Sequence, residues 1–145
     1  MAIFPNTTDP RRVAIPPGYF LIPTNTVGTS LTAAGSPGTY GSYAQITAAT
    51  TEAIYIVGVS LFSGTNTTYA QVMLAIGGSG AESGITEVVA PSTPAANDLA
   101  MIVMLPYPIA VASGIRIAAK AATGGNSESV AIHLMCIAQA DLVSA

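Results

Sequence analysis

AIYIVGVSLFSGTNTTYAQVMLAI, residues 53–76, holds two apolar runs separated by the polar link Ser63-Gly64-Thr65-Asn66-Thr67. Side chains of a strand alternate between its two faces. On that period the first run puts Tyr55, Val57, Val59 and Leu61 on one face, with Ile54, Ile56 and Phe62 on the other. The second run puts Ala70, Val72, Leu74 and Ile76 on one face, against Tyr69, Gln71 and Met73. Two such runs joined by a short Gly-containing link predict a β-hairpin.

The same punctuation continues toward the C-terminus. Gly77, Gly78, Gly80 and Gly84 mark a loop, and Pro91 and Pro94 close a short strand over 85–90. A strand over 99–105 alternates Leu99, Met101, Val103 and Leu105; Pro106 and Pro108 then bracket Tyr107, and a further short strand covers 109–112. Residues 114–121 send Ile115 and Ile117 inward, with Arg116 and Lys120 outward. Thr123-Gly124-Gly125-Asn126 turns the chain into a last strand, 128–138, where Val130, Ile132, Leu134 and Cys136 share a face. On the N-terminal side a strand is expected within 43–49, after turn residues Gly35, Pro37, Gly38 and Gly41. No segment carries a sustained helical stripe with caps. The expectation is an all-β fold, an antiparallel β-sandwich or jelly roll over 26–145.

Residues 1–25 read differently. They hold Pro5, Pro10, Pro16, Pro17 and Pro23, half of the ten prolines, together with Arg11 and Arg12. Proline fixes φ and removes a backbone donor, so neither a helix nor a central strand is expected here. The predicted form is an extended arm. Its apolar cluster Tyr19-Phe20-Leu21-Ile22 favours docking on a neighbour over a free tail.

Composition narrows the class of function. Four basic and seven acidic residues make the chain 8% charged, while 50% is hydrophobic; soluble domains average about 25% charged. The most apolar stretch, Leu99 to Ile115, contains Pro106, Pro108 and Gly114 and is shorter than the roughly 20 apolar residues a spanning helix needs. No membrane partner is therefore expected. Several strands are apolar on both faces, whereas an antiparallel sheet ordinarily leaves one face to water. A second cover from symmetry-related copies accounts for this. A net charge of −3, with only two adjacent cations, argues against a nucleic-acid partner. The segment before the first strands lacks the pattern of a signal peptide.

Catalytic and cofactor chemistry finds little support. His133 is the one histidine, and no Gly-x-Ser-x-Gly elbow accompanies it, so it reads as a polar residue at an interface. Cys136, the one cysteine, excludes an internal disulfide and reads as a small core residue. Glu82 and Glu87 flank a glycine loop in a position to meet a cation at an oligomer axis, but a calcium loop needs denser acids. Gly78-Ser-Gly80-Ala-Glu-Ser-Gly84 has its third glycine one position late for a dinucleotide fingerprint and precedes a strand rather than a helix. Neither cofactor nor metal is expected, and no enzymatic activity.

Three segments carry a family likeness: GVSLFSGTNTTYAQVMLAIGGSGAES (58–83), LPYPIAVASGIRIAAKA (105–121) and SVAIHLMCIA (129–138). Across about 53–137 the chain resembles the small β-rich virion structural proteins of tailed bacteriophages, the head decoration or cement proteins among them. The resemblance implies a non-enzymatic subunit, usually a homotrimer, on the outer surface of the head. There it would bridge major capsid proteins, its partners, with linked copies binding by avidity. It also places the arm along the capsid, Arg11 and Arg12 pairing with acidic shell residues and Tyr19, Phe20, Leu21 and Ile22 in contact. The alternative is a receptor- or carbohydrate-binding module on a tail or baseplate. Against it stand the absence of Trp and the dispersal of Tyr40, Tyr43, Tyr55, Tyr69 and Tyr107 along the chain.

Overall fold

The computed structural model describes residues 18–63, 69–90 and 101–143. Among them lie β1 (Tyr19–Ile22), β2 (Thr29–Thr32), β3 (Ala44–Thr47), β4 (Ile54–Ser63), β5 (Ala70–Ile76), β6 (Ser83–Ala90), β7 (Met101–Val111), β8 (Ile117–Thr123), β9 (Ser129–Ala138) and the short helix α1 (Gln139–Val143). One sheet runs β1-β9-β4-β7, with β2 also paired to β9; the other runs β3-β8-β5-β6. Every pairing is antiparallel. The fold is an all-β sandwich, as the strand pattern predicts. Among the described residues no helix is long and apolar enough to cross a membrane.

The core lies between the sheets. From β9 come Val130, Ile132, Leu134 and Cys136, the four residues that alternation put on one face. Val72 and Leu74 of β5 meet them from the other sheet, with Ile117, Ala119 and Ala121 of β8. All nine are buried, and the alanines let β8 pack closely.

Four sequence expectations need correction. The first is the hairpin. β4 pairs with β7 and β9, and β5 pairs with β6 and β8, so the two runs of 53–76 belong to different sheets. Each has an apolar face, and opposing those faces across the sandwich buries both against each other. The link 64–68 lies outside the described residues.

The second is the parity of β4. Ile56 pairs with Cys136 but Gly58 pairs with Met135, so Val57 is an extra residue in a β-bulge. Alternation flips there. Ile54, Ile56, Val59 and Leu61 therefore share the core face, while Val57 and Phe62 lie on the outer one. Glycine suits the bulge: a Cβ on Gly58 would stand 3.0 Å from the Val103 carbonyl oxygen and 3.1 Å from Met104 Sδ.

The third is the break at Pro106 and Pro108. β7 is one strand through both prolines. It sits at the edge of its sheet, where a missing outward N–H costs no ladder bond. Its register jumps from Gly58↔Met104 to Ile56↔Ile109, so residues 105–108 arch opposite the single residue Val57.

The fourth concerns the arm. Tyr19–Ile22 does not stand apart from the sandwich; it is β1, paired with Leu134–Ile137 of the same chain. Proline-free and apolar, these residues cover an otherwise open edge of β9, and Phe20 and Ile22 pack against the main core. Residues 1–17, Arg11 and Arg12 among them, lie outside the described residues.

β1 and β2 share one edge of β9 end to end. Ile22 pairs with Leu134 and Thr29 with Ile132, so residues 23–28 leave the ladder opposite His133. His133 is 2% exposed. Its Nε2 lies 2.8 Å from the Asn25 carbonyl oxygen, which can only accept, so Nε2 carries the proton. The Gly28 N–H donates to Asn25 Oδ1 at 2.7 Å. Gly28 has φ +71°, and a Cβ there would stand 2.7 Å from the Ile132 carbonyl oxygen. The histidine thus ties a loop down inside the fold, a structural task.

Candidate assembly surfaces

Among the described residues three surfaces remain once the core is assigned. The first is the outer face of the β1-β9-β4-β7 sheet. Leu21 and Met135 are buried there and pack with Tyr19, Val57 and Ile102. Nearby, Phe62 packs against Ala131 and stacks on His133 at 6.1 Å between ring centroids. Of the residues expected in the docking arm, Tyr19 and Leu21 therefore belong to this face, while Phe20 and Ile22 belong to the core.

The second surface is the edge strand β7. Its sequence, MIVMLPYPIAV, has no charged residue. Met104 is 55% exposed and Tyr107 72% exposed. Long apolar edges are open to pairing with other chains, and prolines and bulges are the usual protection. Here both protections fall in the same four residues, 105–108. They remove donors from mid-strand yet leave an aromatic ring at the crest of the arch.

The third surface is the outer face of the β3-β8-β5-β6 sheet. Register aligns Glu87, Met73 and Lys120 in one row across β6, β5 and β8. The segment before β3 lays Tyr40 and Tyr43 over that row. Lys120 Nζ sits 5.1 Å from the Tyr40 ring centroid and 4.5 Å from that of Tyr43, within cation–π range. The Tyr40 hydroxyl donates to Glu87 Oε1, and the Tyr43 hydroxyl lies 3.4 Å from Met73 Sδ. Tyrosines dispersed in sequence are thus gathered in space. Only the strand register reveals this, because Tyr40 and Glu87 are far apart along the chain.

Farther along the same strands, Arg116 donates to Glu82 Oε1 at 2.9 Å, to the Gly77 carbonyl at 3.0 Å and to Gln45 Oε1 at 3.1 Å. The carboxyl of Glu82 is held below its ordinary range, first by its own backbone N–H, against an opposing pull from desolvation, and further by Arg116 and the Gly80 N–H. Glu82 and Glu87, the acids flanking the glycine loop, are thus engaged by Arg116 and Tyr40 respectively. Among the described residues no group of three metal-ligating side chains comes together. Burial pushes the Cys136 thiol up to about 12, which leaves it protonated and unreactive at neutral pH.

Tyr40 titrates above its ordinary range. Burial is the largest cause, followed by the hydrogen bond to Glu87 and the charges of Glu87 and Tyr43. A group whose pKa rises on folding supports stability below its unfolded pKa, near 10 for tyrosine, and loses that support as pH climbs toward the folded value. Urea midpoints are therefore expected to fall from about pH 10 upward, and more steeply in the natural protein than in Tyr40→Phe. Equal slopes would mean that neither the burial of Tyr40 nor its contact with Glu87 persists in solution.

Comparison with protein families, with curated proteins and with solved structures gives no match for this chain.

Proposed function

We propose that this chain is a non-enzymatic structural subunit of a tailed-bacteriophage virion. In this reading it decorates the outer surface of the head, assembles with copies of itself as a homotrimer and bridges major capsid proteins. The observation that carries the proposal is the uncharged edge strand β7, with Tyr107 and Met104 presented to the outside of an otherwise well-packed sandwich. A chain with 8% charged residues and such an edge gains by covering it. The polar groups support the reading in another way: Tyr40 is tied to Glu87 and Lys120 in one cluster, and Arg116 to Glu82 in a second, so these side chains are taken up in holding the outer face of the sheet.

Light scattering on the purified protein at micromolar concentration is expected to give a trimer mass, and sedimentation with heads lacking this chain is expected to show saturable binding. A monomer that leaves heads unbound would end the proposal. The gathering of Tyr40 and Tyr43 favours a second reading, a carbohydrate-binding module on a tail or baseplate. Glycan-array binding that vanishes in Tyr43→Ala, together with a monomeric mass, is the result that would put it first.

A further inference from the structure

We infer that copies of this chain join by seating the Tyr107 arch of one copy in the cleft beside Ile115 of the next. The inference rests on the reading of the chain as a self-assembling subunit and adds the contact by which it assembles.

The arch is a rigid knob. Pro106 and Pro108 fix φ on both sides of Tyr107, and pairing with β4 pins the strand at Met104 and at Ile109. Little side-chain entropy is then lost when the ring is immobilised, because tyrosine has only two soft torsions. Tyrosine is also among the residues that dominate interface energetics.

The cleft is the matching socket. It is an open cleft of about 530 Å³ between Ala48, Ile76, Ala81 and Ile115. Arg116 forms part of its wall, and three hydrogen bonds to Glu82, Gly77 and Gln45 hold the guanidinium in place. A fixed guanidinium attracts the face of an aromatic ring. The socket therefore offers apolar walls for the ring and, in the Arg116 guanidinium paired with Glu82, a planar group on which an aromatic face can stack. Tyr107 is 72% exposed in its own chain, so it does not occupy its own cleft.

Area argues for a second copy in this arrangement and against pairing β7 with β7. An edge of eleven residues at ~3.4 Å per residue and ~10 Å deep offers about 400 Å² per copy. A stable interface buries ~800 Å² per partner. Symmetric strand pairing would use that one strip, and the prolines interrupt its donors at mid-length. Seating the arch in the cleft instead holds every copy of a closed ring through two separate patches, the β7 edge and the cleft, so two linked contacts of about 400 Å² reinforce each other where one alone is weak.

The test uses the full chain and two exposed positions. Tyr107→Ala removes the knob and keeps the socket; Ala81→Arg fills the socket and keeps the knob. Circular dichroism checks folding, and Ala48→Arg replaces Ala81→Arg if the latter is misfolded. By sedimentation velocity each variant alone is expected to associate roughly tenfold more weakly or worse. An equimolar mixture is expected to recover association as a one-to-one dimer, weaker than the natural assembly but tighter than either variant alone, since one intact knob still faces one intact socket. Variants that assemble like the natural protein, or a mixture that stays monomeric, overturn the inference while leaving self-assembly standing. Variants that assemble normally but no longer bind heads overturn it in favour of a shell-protein contact. A natural chain that is monomeric throughout overturns the assembly reading itself.

Discussion

Leu134→Ala is expected to lower stability by about 3–4 kcal/mol, with a melting temperature roughly 10 °C lower. Leu134 lies in β9, flanked by β1 and β4, pairing with Ile22 on one side and Val59 on the other. It is fully buried and faces the β3-β8-β5-β6 sheet. Its neighbours belong to strands whose ladders hold them at fixed spacing, so the site cannot collapse around the missing atoms, and both the transfer loss and the cavity are felt. The adjacent residue gives the contrast. Met135 points to the outer face, where Leu21 is the other buried member of its cluster. Met135→Ala is expected to cost about half as much, because thioether packing is adaptable and water reaches that face more readily. Urea denaturation of the two variants measures the difference. Equal losses would mean that the outer face is as firmly enclosed as the core, and the division into an inner and an outer face would have to be redrawn.

The same division explains what was legible in the sequence. Alternation placed Val130, Ile132, Leu134 and Cys136 on the core face of β9, because that strand runs without a bulge in the stretch that carries them. It failed in β4, because one extra residue at Val57 inverts the face of everything after it and leaves no compositional mark beyond the neighbouring glycine. The strand content was readable from spacing, but the pairing partners were not. A five-residue link looks the same whether it turns within a sheet or joins two sheets. Prolines read as strand breaks mislead at a sheet edge, where the lost donor would have faced outward. Edge position is a property of the whole topology and has no local signature. That is why the single strand β7 reads as two short ones, and why the arch at Tyr107 escapes notice as a surface feature. The tyrosine–lysine row over β5, β6 and β8 was hidden for the same reason: its members meet only through register.

Gly41→Ala is expected to be among the most damaging single-methyl changes in the protein, at about 3 kcal/mol or more. Gly41 lies between β8 of one sheet and β2 of the other. Its N–H donates to the Ala121 carbonyl of β8 at 3.0 Å. A Cβ there would overlap the carbonyl oxygen of Thr32 in β2. The obstacle is backbone on both sides, so no rotamer change relieves it. Either the Gly41–Ala121 bond breaks or β2 moves off β9. Gly41 also stands between Tyr40 and Tyr43, so a shift there pulls both rings from Lys120 and frees Tyr40 from Glu87. Two readings should therefore move together. The melting temperature falls, and in the fraction still folded Tyr40 titrates closer to the ordinary tyrosine range, which absorbance follows on raising the pH. Gly78→Ala is the control. Nothing lies within 4 Å of a Cβ at that position, and its φ is not among the positive ones. It is expected to be neutral or slightly stabilising, because alanine narrows the unfolded ensemble. If Gly41→Ala melted with the control, the close approach of β2 to the segment before β3 would be wrong. The brace that positions Tyr40 and Tyr43 would then need another origin.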